Sequence, residues 1–350
     1  MAVHGIPGLS IAVSVNGHMV WKDGFGYANL ESGAKCTGDS VMRIASISKP
    51  ITSVISARLF EKGKFDLDVD IRDYVPSFPP KKFNNEEVFI TMRQLLSHSA
   101  GIRHYRKTRR APTALEDSTN NNTKEEEFLN NKFYSTTMDA LEIFKNDNLV
   151  SKPGSKFAYT TYGLTLAGAV LENASGMRNT HLDSKTKIIK QRVSYYRRNA
   201  DHVLENCPEV DSSYKFPGGG LLSNVTDLLI FANAILYSYQ SDSNDSLLKR
   251  STTRTFLTPQ LKVDSSTSAG MGWFIVQGGR AKTIERNWSN ESFFYHTGAA
   301  VGASSVLLIR PDNMAPNRPS GVCVAILCNV QDTSVLSLAL DIADMFQKEI

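Results

Sequence analysis

No stretch of this chain approaches the roughly 20 consecutive apolar residues that a bilayer-crossing helix needs, which excludes a helical membrane protein. Cysteine is scarce. Cys36, Cys207, Cys323 and Cys328 are too few and too scattered for a disulfide framework, so reduced structural thiols are expected. Cys323 and Cys328 share one expected strand and, five residues apart, point to opposite faces. An excess of one charge is also lacking. Over 350 residues, 39 basic and 35 acidic side chains leave +4, too balanced for a nucleic-acid or membrane-surface binder. The opening Met1-Ala2-Val3-His4-Gly5 lacks the regions of a signal peptide and the Arg-rich look of a transit peptide, which by itself reads as cytoplasmic. Without a secretory signal, Asn173-Ala174-Ser175 and Asn224-Val225-Thr226 are chance strings rather than glycosylation sites. There is no internal repeat, and no metal site or cofactor is expected.

What is present is an ordinary globular composition, 41% hydrophobic and 21% charged, on a chain long enough for two lobes sharing a cleft. Leu9 to Val15 alternates and is β-branched; Asn16-Gly17 follows as a hairpin turn, then Met19 to Tyr27 as a second strand. Gly272 to Val276, Ser304 to Ile309 and Val322 to Cys328 read as three more strands. Helical spacing marks Ser48 to Lys62, Thr91 to Ser99, Tyr162 to Ala174, Asn224 to Tyr237 and Thr333 to Gln347. The expected fold class is therefore α/β (α+β): a single unit, residues 1–350, of two lobes. Residues 1–45 and 265–350 form an antiparallel sheet flanked by helices, and 46–264 form a mainly helical lobe. Residues 106–132, with Asn120-Asn121-Asn122 and Glu125-Glu126-Glu127, bury too little apolar surface to offset ordering and read as a mobile polar insertion.

Three distant strings carry the chemistry: Ser46-Ile47-Ser48-Lys49, Tyr159-Thr160-Thr161 and His296-Thr297-Gly298. In a helix the first puts a hydroxyl and an amine on one face. A serine hydroxyl attacks only when a neighbouring base takes its proton, and Lys49 or a tyrosine such as Tyr159 can be that base. Ser46 follows a strand-like Val41-Met42-Arg43-Ile44-Ala45 and opens a helix, where free N–H groups favour a developing oxyanion. The glycine of the third string lets a substrate backbone pass close by.

In this order the strings resemble the Ser-x-x-Lys, Tyr-x-Asn and Lys/His-Thr-Gly signature of the serine β-lactamase and penicillin-binding-protein superfamily, in its class C-like, S12-peptidase branch. Leu95-Leu96-Ser97-His98-Ser99-Ala100-Gly101-Ile102 and Pro217-Gly218-Gly219-Gly220-Leu221-Leu222-Ser223 resemble two further family stretches. Arg43 to Lys49, Arg103-His104-Tyr105, Asp211 to Lys215 and His296 to Leu308 are most similar to a eukaryotic mitochondrial group within it. The resemblance implies a β-lactamase/transpeptidase-like fold. Ser46 would be the acylated nucleophile, with Lys49 and Tyr159 sharing the proton work and the N–H groups of Ser46 and Ala299 forming the oxyanion hole. Thr161, His296, Thr297 and Gly298 would line the substrate channel. It also implies a small peptide or ester substrate, a mitochondrial address, an influence on lipid metabolism, and assembly into homo-oligomers or filaments.

Either base must drop about 3 pKa units to work at neutral pH, roughly 4 kcal/mol, and a Lys49 ammonium beside a Tyr159 phenolate could supply much of it. Histidine at position 296, where many relatives carry lysine, implies an added titration near pH 6 to 7 and weak capture of carboxylate-bearing β-lactams. Thr161 replaces the family's asparagine and removes an amide able to both donate and accept. The chain opens on its first strand where the family usually has a helix, and Gly176 to Asp211 is short, as in a shortened variant. The residues thus point to a serine hydrolase of amides or esters rather than a true β-lactamase; the alternative is a silent scaffold of the same fold that polymerises or binds partners.

Overall fold

In the computed structural model the described residues are 5–106, 127–175, 188–278, 292–312 and 319–347, with two short strand pieces at 282–283 and 286–287. The N-terminal alternation forms β1 (Gly8–Val15) and β2 (His18–Asn29), followed by the short β3 (Ala34–Lys35). Asn16 and Gly17 both take positive φ, 51° and 83°, as a two-residue turn of the primed type demands. The C-terminal third supplies β4 (Leu261–Lys262), β5 (Thr267–Ala269), β6 (Phe274–Val276), β7 (Phe293–Ala300), β8 (Ala303–Pro311) and β9 (Gly321–Cys328). Among the described residues these make one nine-stranded antiparallel sheet in the order β4-β5-β6-β7-β8-β9-β1-β2-β3. The two ends of the chain meet at its middle, with Leu9 opposite Cys328 and Val15 opposite Val322.

The main helices are α1 (Ser48–Glu61), α2 (Thr161–Ser175), α3 (Val225–Gln240) and α4 (Leu336–Gln347). Asn224 caps α3 by accepting from the Asp227 N–H. β9 is apolar along its whole length because both faces are covered. Cys323, Ala325 and Leu327 pack with Leu228, Leu229 and Leu236 of α3, while Val324, Ile326 and Cys328 pack with Ala339, Leu340 and Ile342 of α4. Each buried Val, Leu or Ile among them contributes about 1.5–3 kcal/mol. The two thiols of β9 thus point apart, and all four cysteines are free. A separate apolar cluster builds the helical lobe from Leu59, Leu95, Leu96, Tyr162, Leu166 and Val170. Among the described residues no helix is long and apolar enough to cross a membrane.

Two features differ from the sequence reading. β4 and β5 begin the sheet at Leu261, ahead of residue 265. And His296-Thr297-Gly298 lies inside a strand, β7, that the sequence reading did not include; its glycine and small residues hide the β-branched pattern. The core of the polar insertion, 107–126, and Met177 to Thr180 of the short stretch lie outside the described residues. The insertion's flanks are anchored. Arg106 pairs with Asp147 at 2.6 Å, and Glu127, in a short 3-10 turn, receives Arg103 at 2.8 Å and the Tyr162 hydroxyl at 3.0 Å.

Candidate active site

The Ser46 turn is held from both sides. Ile44 donates its N–H to Leu221 O and accepts at its carbonyl from Ser305 Oγ at 2.9 Å. Ala45 is then forced to φ 50°, a left-handed conformation costing roughly 1–2 kcal/mol for a residue with a Cβ. The strained step opens a 3-10 turn, Ala45–Ile47, that runs directly into α1 and leaves Ser46 half-buried at the helix mouth. Gly298 makes the close approach of β7 feasible: a Cβ there would lie 2.1 Å from Ser305 Oγ and 2.5 Å from Ile44 O.

Lys49, in the first turn of α1, is fully buried. Its Nζ lies 2.9 Å from Ser46 Oγ and donates to Gly218 O at 2.5 Å. Tyr159 comes from the turn ahead of α2 and directs its hydroxyl to Ser46 Oγ at 2.7 Å. That turn is clamped by the segment before it in space. The Thr160 N–H donates to His98 Nδ1 at 3.2 Å, Thr160 Oγ1 donates to Arg103 O at 2.6 Å, and the Thr161 N–H donates to His104 Nδ1 at 3.3 Å. The His98 ring lies 4.5 Å from the Tyr159 ring, centre to centre. Two strings far apart in sequence therefore meet at one hydroxyl, and Thr297 of the third lines the same cleft.

Burial decides which neighbour is the better base. It pushes Lys49 well below the usual amine range, with the Lys215 charge adding to the effect. It pushes Tyr159 upward, against the opposing hydrogen bond with Ser46. A Tyr159 phenolate is thus disfavoured. The shared phenolate–ammonium couple expected from sequence gives way to a division of labour: the lowered pKa of Lys49 makes its amine the easier group to free for the Ser46 proton, while the phenol of Tyr159 is held in its protonated form.

His296 also departs from expectation. Its side chain is buried, packed by Phe274 with ring centres 5.1 Å apart, and its Nδ1 lies 2.6 Å from Thr297 O. Burial, and then the Lys49 charge, lower its pKa to about 3, so it adds no charge near pH 6 to 7. The alternation of β7 sends Thr297 and Ala299 into the cleft, while His296 and Gly298 are not in its lining. Because the folded pKa lies below the unfolded value of about 6.5, the unfolded state binds more protons between these limits, and stability is lost as pH falls through that window. From pH 7 to 5 the loss from His296 alone is roughly 2 kcal/mol. Urea midpoints at pH 7 and pH 5 should therefore diverge less in His296→Gln than in the native protein; equal divergence would contradict the assignment.

The cleft has a volume of about 610 Å³ and is lined by Ser46, Tyr159, Thr161, Thr297 and Ala299 among the expected residues. β6 begins at Phe274, opposite Tyr295, so its pairing with β7 stops short of His296. Sequence reasoning assigned no role to Lys215, Gly218, His104 or Tyr105, which all line the same cleft. The only signal for them was their place in strings quoted for the resemblance.

The β-lactamase family model matches residues 1–344. The chain belongs to the β-lactamase family. It is 36% identical to the human mitochondrial serine β-lactamase-like protein LACTB over 425 aligned positions, covering 99% of this chain and 77% of that protein. The octameric penicillin-binding protein homologue from Pyrococcus abyssi shares the fold with TM-score 0.75 at 21% identity, over 99% of this chain and 75% of the other. A class C β-lactamase mutant shares it with TM-score 0.70 at 14% identity, over 100% and 94% of the chains. As a β-lactamase-family member, this chain has the mixed antiparallel architecture that its strands from both termini led one to expect.

Proposed function

We propose that this β-lactamase-family protein is a serine hydrolase that cleaves amide or ester bonds through an acyl-Ser46 intermediate, as a LACTB-like peptidase or esterase. The observation that carries this reading is the double approach to Ser46 Oγ, by Lys49 Nζ at 2.9 Å and by the Tyr159 hydroxyl at 2.7 Å. A scaffold has no use for that trio. In the proposed reaction, neutral Lys49 takes the Ser46 proton as Oγ bonds to the substrate carbonyl carbon, and the carbonyl electron pair moves onto its oxygen. The N–H groups of Ser46 and Ala299 receive that oxyanion. The carbon–nitrogen or carbon–oxygen bond then breaks. The leaving group departs with a proton passed from the Lys49 ammonium through the Tyr159 hydroxyl, and water reverses the sequence to free the acid.

Thr161 and Thr297 contact the substrate in this reading, while His296 and Gly298 shape the strand behind it. A neutral His296 in place of a lysine charge supports weak or absent β-lactamase activity. The name of the human relative supports a mitochondrial address. The test is labelling of the native protein with a fluorophosphonate probe, followed by peptide mapping. One adduct per chain on the peptide bearing Ser46 is expected; a folded sample that takes no label, or takes it elsewhere, overturns the reading.

A further inference from the structure

The turn that carries Tyr159 is bracketed by two residues that share one carboxylate. On one side, the Arg103 carbonyl accepts the hydroxyl of Thr160, the next residue after Tyr159, at 2.6 Å. On the other, Tyr162 in the first turn of α2 donates its hydroxyl to Glu127 Oε2 at 3.0 Å. The Arg103 guanidinium reaches the same carboxylate as a fork, Nη1 to Oε2 at 2.8 Å and Nη2 to Oε1 at 3.0 Å. Such paired, charge-assisted bonds fix geometry as well as adding energy. Water has little access to them, since the side chains of Arg103 and Glu127 are only 12% and 22% exposed. Glu127 is itself held in place, its carbonyl accepting from the Tyr214 hydroxyl at 3.1 Å. Yet it is absent from the cleft lining. Asp147 binds Arg103 Nε from another direction at 2.6 Å. Removing the Glu127 charge therefore leaves the guanidinium paired and the fold intact, but loosens the residue that anchors Thr160. A shift of about 1 Å in a reacting group can cost as much as 10²-fold in rate.

We propose that Glu127 is a positioning residue: its carboxylate, shared by Arg103 and Tyr162, holds the Tyr159 hydroxyl where it can deliver a proton to the leaving group. The proposal rests on the hydrolase reading for its catalytic consequence, but the ordering of the turn does not require turnover. When the ester carbon–oxygen bond breaks, its electron pair moves onto the leaving oxygen. The Tyr159 hydroxyl gives that oxygen a proton and regains one from the Lys49 ammonium. An ethoxy group needs this proton to depart. A 4-nitrophenoxy group leaves as a stable anion and does not.

The experiment uses the full chain with ethyl butanoate and 4-nitrophenyl butanoate, and reads kcat/KM, which reports acylation. Glu127→Gln keeps the shape and one acceptor oxygen but cannot serve both prongs of Arg103. It should lower kcat/KM about tenfold or more for the ethyl ester and less than threefold for the 4-nitrophenyl ester. Placed in a Tyr159→Phe background, it should cost the ethyl ester less than twofold, because the group it positions is already gone. An undiminished rate on the ethyl ester, equal losses on both esters, or a full loss in the Tyr159→Phe background overturns the proposal. Should Glu127→Gln fail to fold, Tyr162→Phe takes its place, since it removes only the hydroxyl that reaches Glu127. If the native protein leaves both esters uncut and takes no fluorophosphonate label, the hydrolase reading fails on its own. In that case, or if the ethyl ester alone stays uncut, amide hydrogen exchange decides the positioning role. Faster exchange confined to Thr160 and Thr161, whose N–H groups are held by His98 and His104, supports it; unchanged exchange, or faster exchange across the whole molecule, overturns it.

Discussion

Ser46→Ala is expected to lower ester cleavage by on the order of 10⁵- to 10⁶-fold while leaving the protein folded. The size follows from the geometry. Ser46 Oγ is where the Lys49 amine and the Tyr159 phenol meet, and without it neither group has a bond to make to substrate. The fold should not suffer, because the change removes one half-exposed hydroxyl at the cleft, where water can replace it, and costs within about 1 kcal/mol. Initial rates with a 4-nitrophenyl ester and thermal unfolding on the same samples check both parts. A variant keeping a tenth of the native rate would mean that another residue carries the reaction.

Lys49→Met should cost about 10²- to 10⁴-fold in kcat/KM, the usual worth of a positioned base. Tyr159→Phe, which keeps the ring against His98 and loses only the hydroxyl, should cost less. The native profile should rise with pH as Lys49 loses its proton, at a pH well below the ordinary 10.5 of a lysine. No separate step from His296 is expected between pH 5.5 and 8, since its pKa lies at about 3. That rising limb should vanish in Lys49→Met. If it survives there and disappears in Tyr159→Phe, the phenol is the base and the amine only a support.

Much of the architecture was readable before the structure, because it rests on local signals. The alternation of Leu9 to Val15, the Asn16-Gly17 turn and the cap at Asn224 each act within a few residues. The Ser46 and Lys49 pair was legible in the same way, lying between a strand-like segment and a helix, whereas the place of the distant Tyr159 beside them was implied by the family resemblance. What escaped depends on burial, which no string of letters displays. The opposite pKa shifts of Lys49 and Tyr159, where the sequence suggested a coupled pair sharing the proton, follow from desolvation at the site. His296 drops out of the channel because the residue alternation of β7 points Thr297 and Ala299 into it instead. Lys215 stayed hidden for a similar reason: its ring neighbours Tyr105, Phe128 and Tyr214 come from three separate stretches.

The bond between Ser305 Oγ and the Ile44 carbonyl joins residues 261 positions apart, and β1 pairs with β9 across nearly the whole chain. A ribosome therefore finishes Ser46, Lys49 and Tyr159 long before it makes the strands that brace them. Until β9 emerges, the apolar side chains of β1 have no partner on one flank, and such contacts close slowly. A prematurely terminated product would carry every reactive group yet remain inert and sticky, a substrate for quality control. Synthesis order thus ensures that whatever chemistry Ser46 performs waits until β9 has been made and paired.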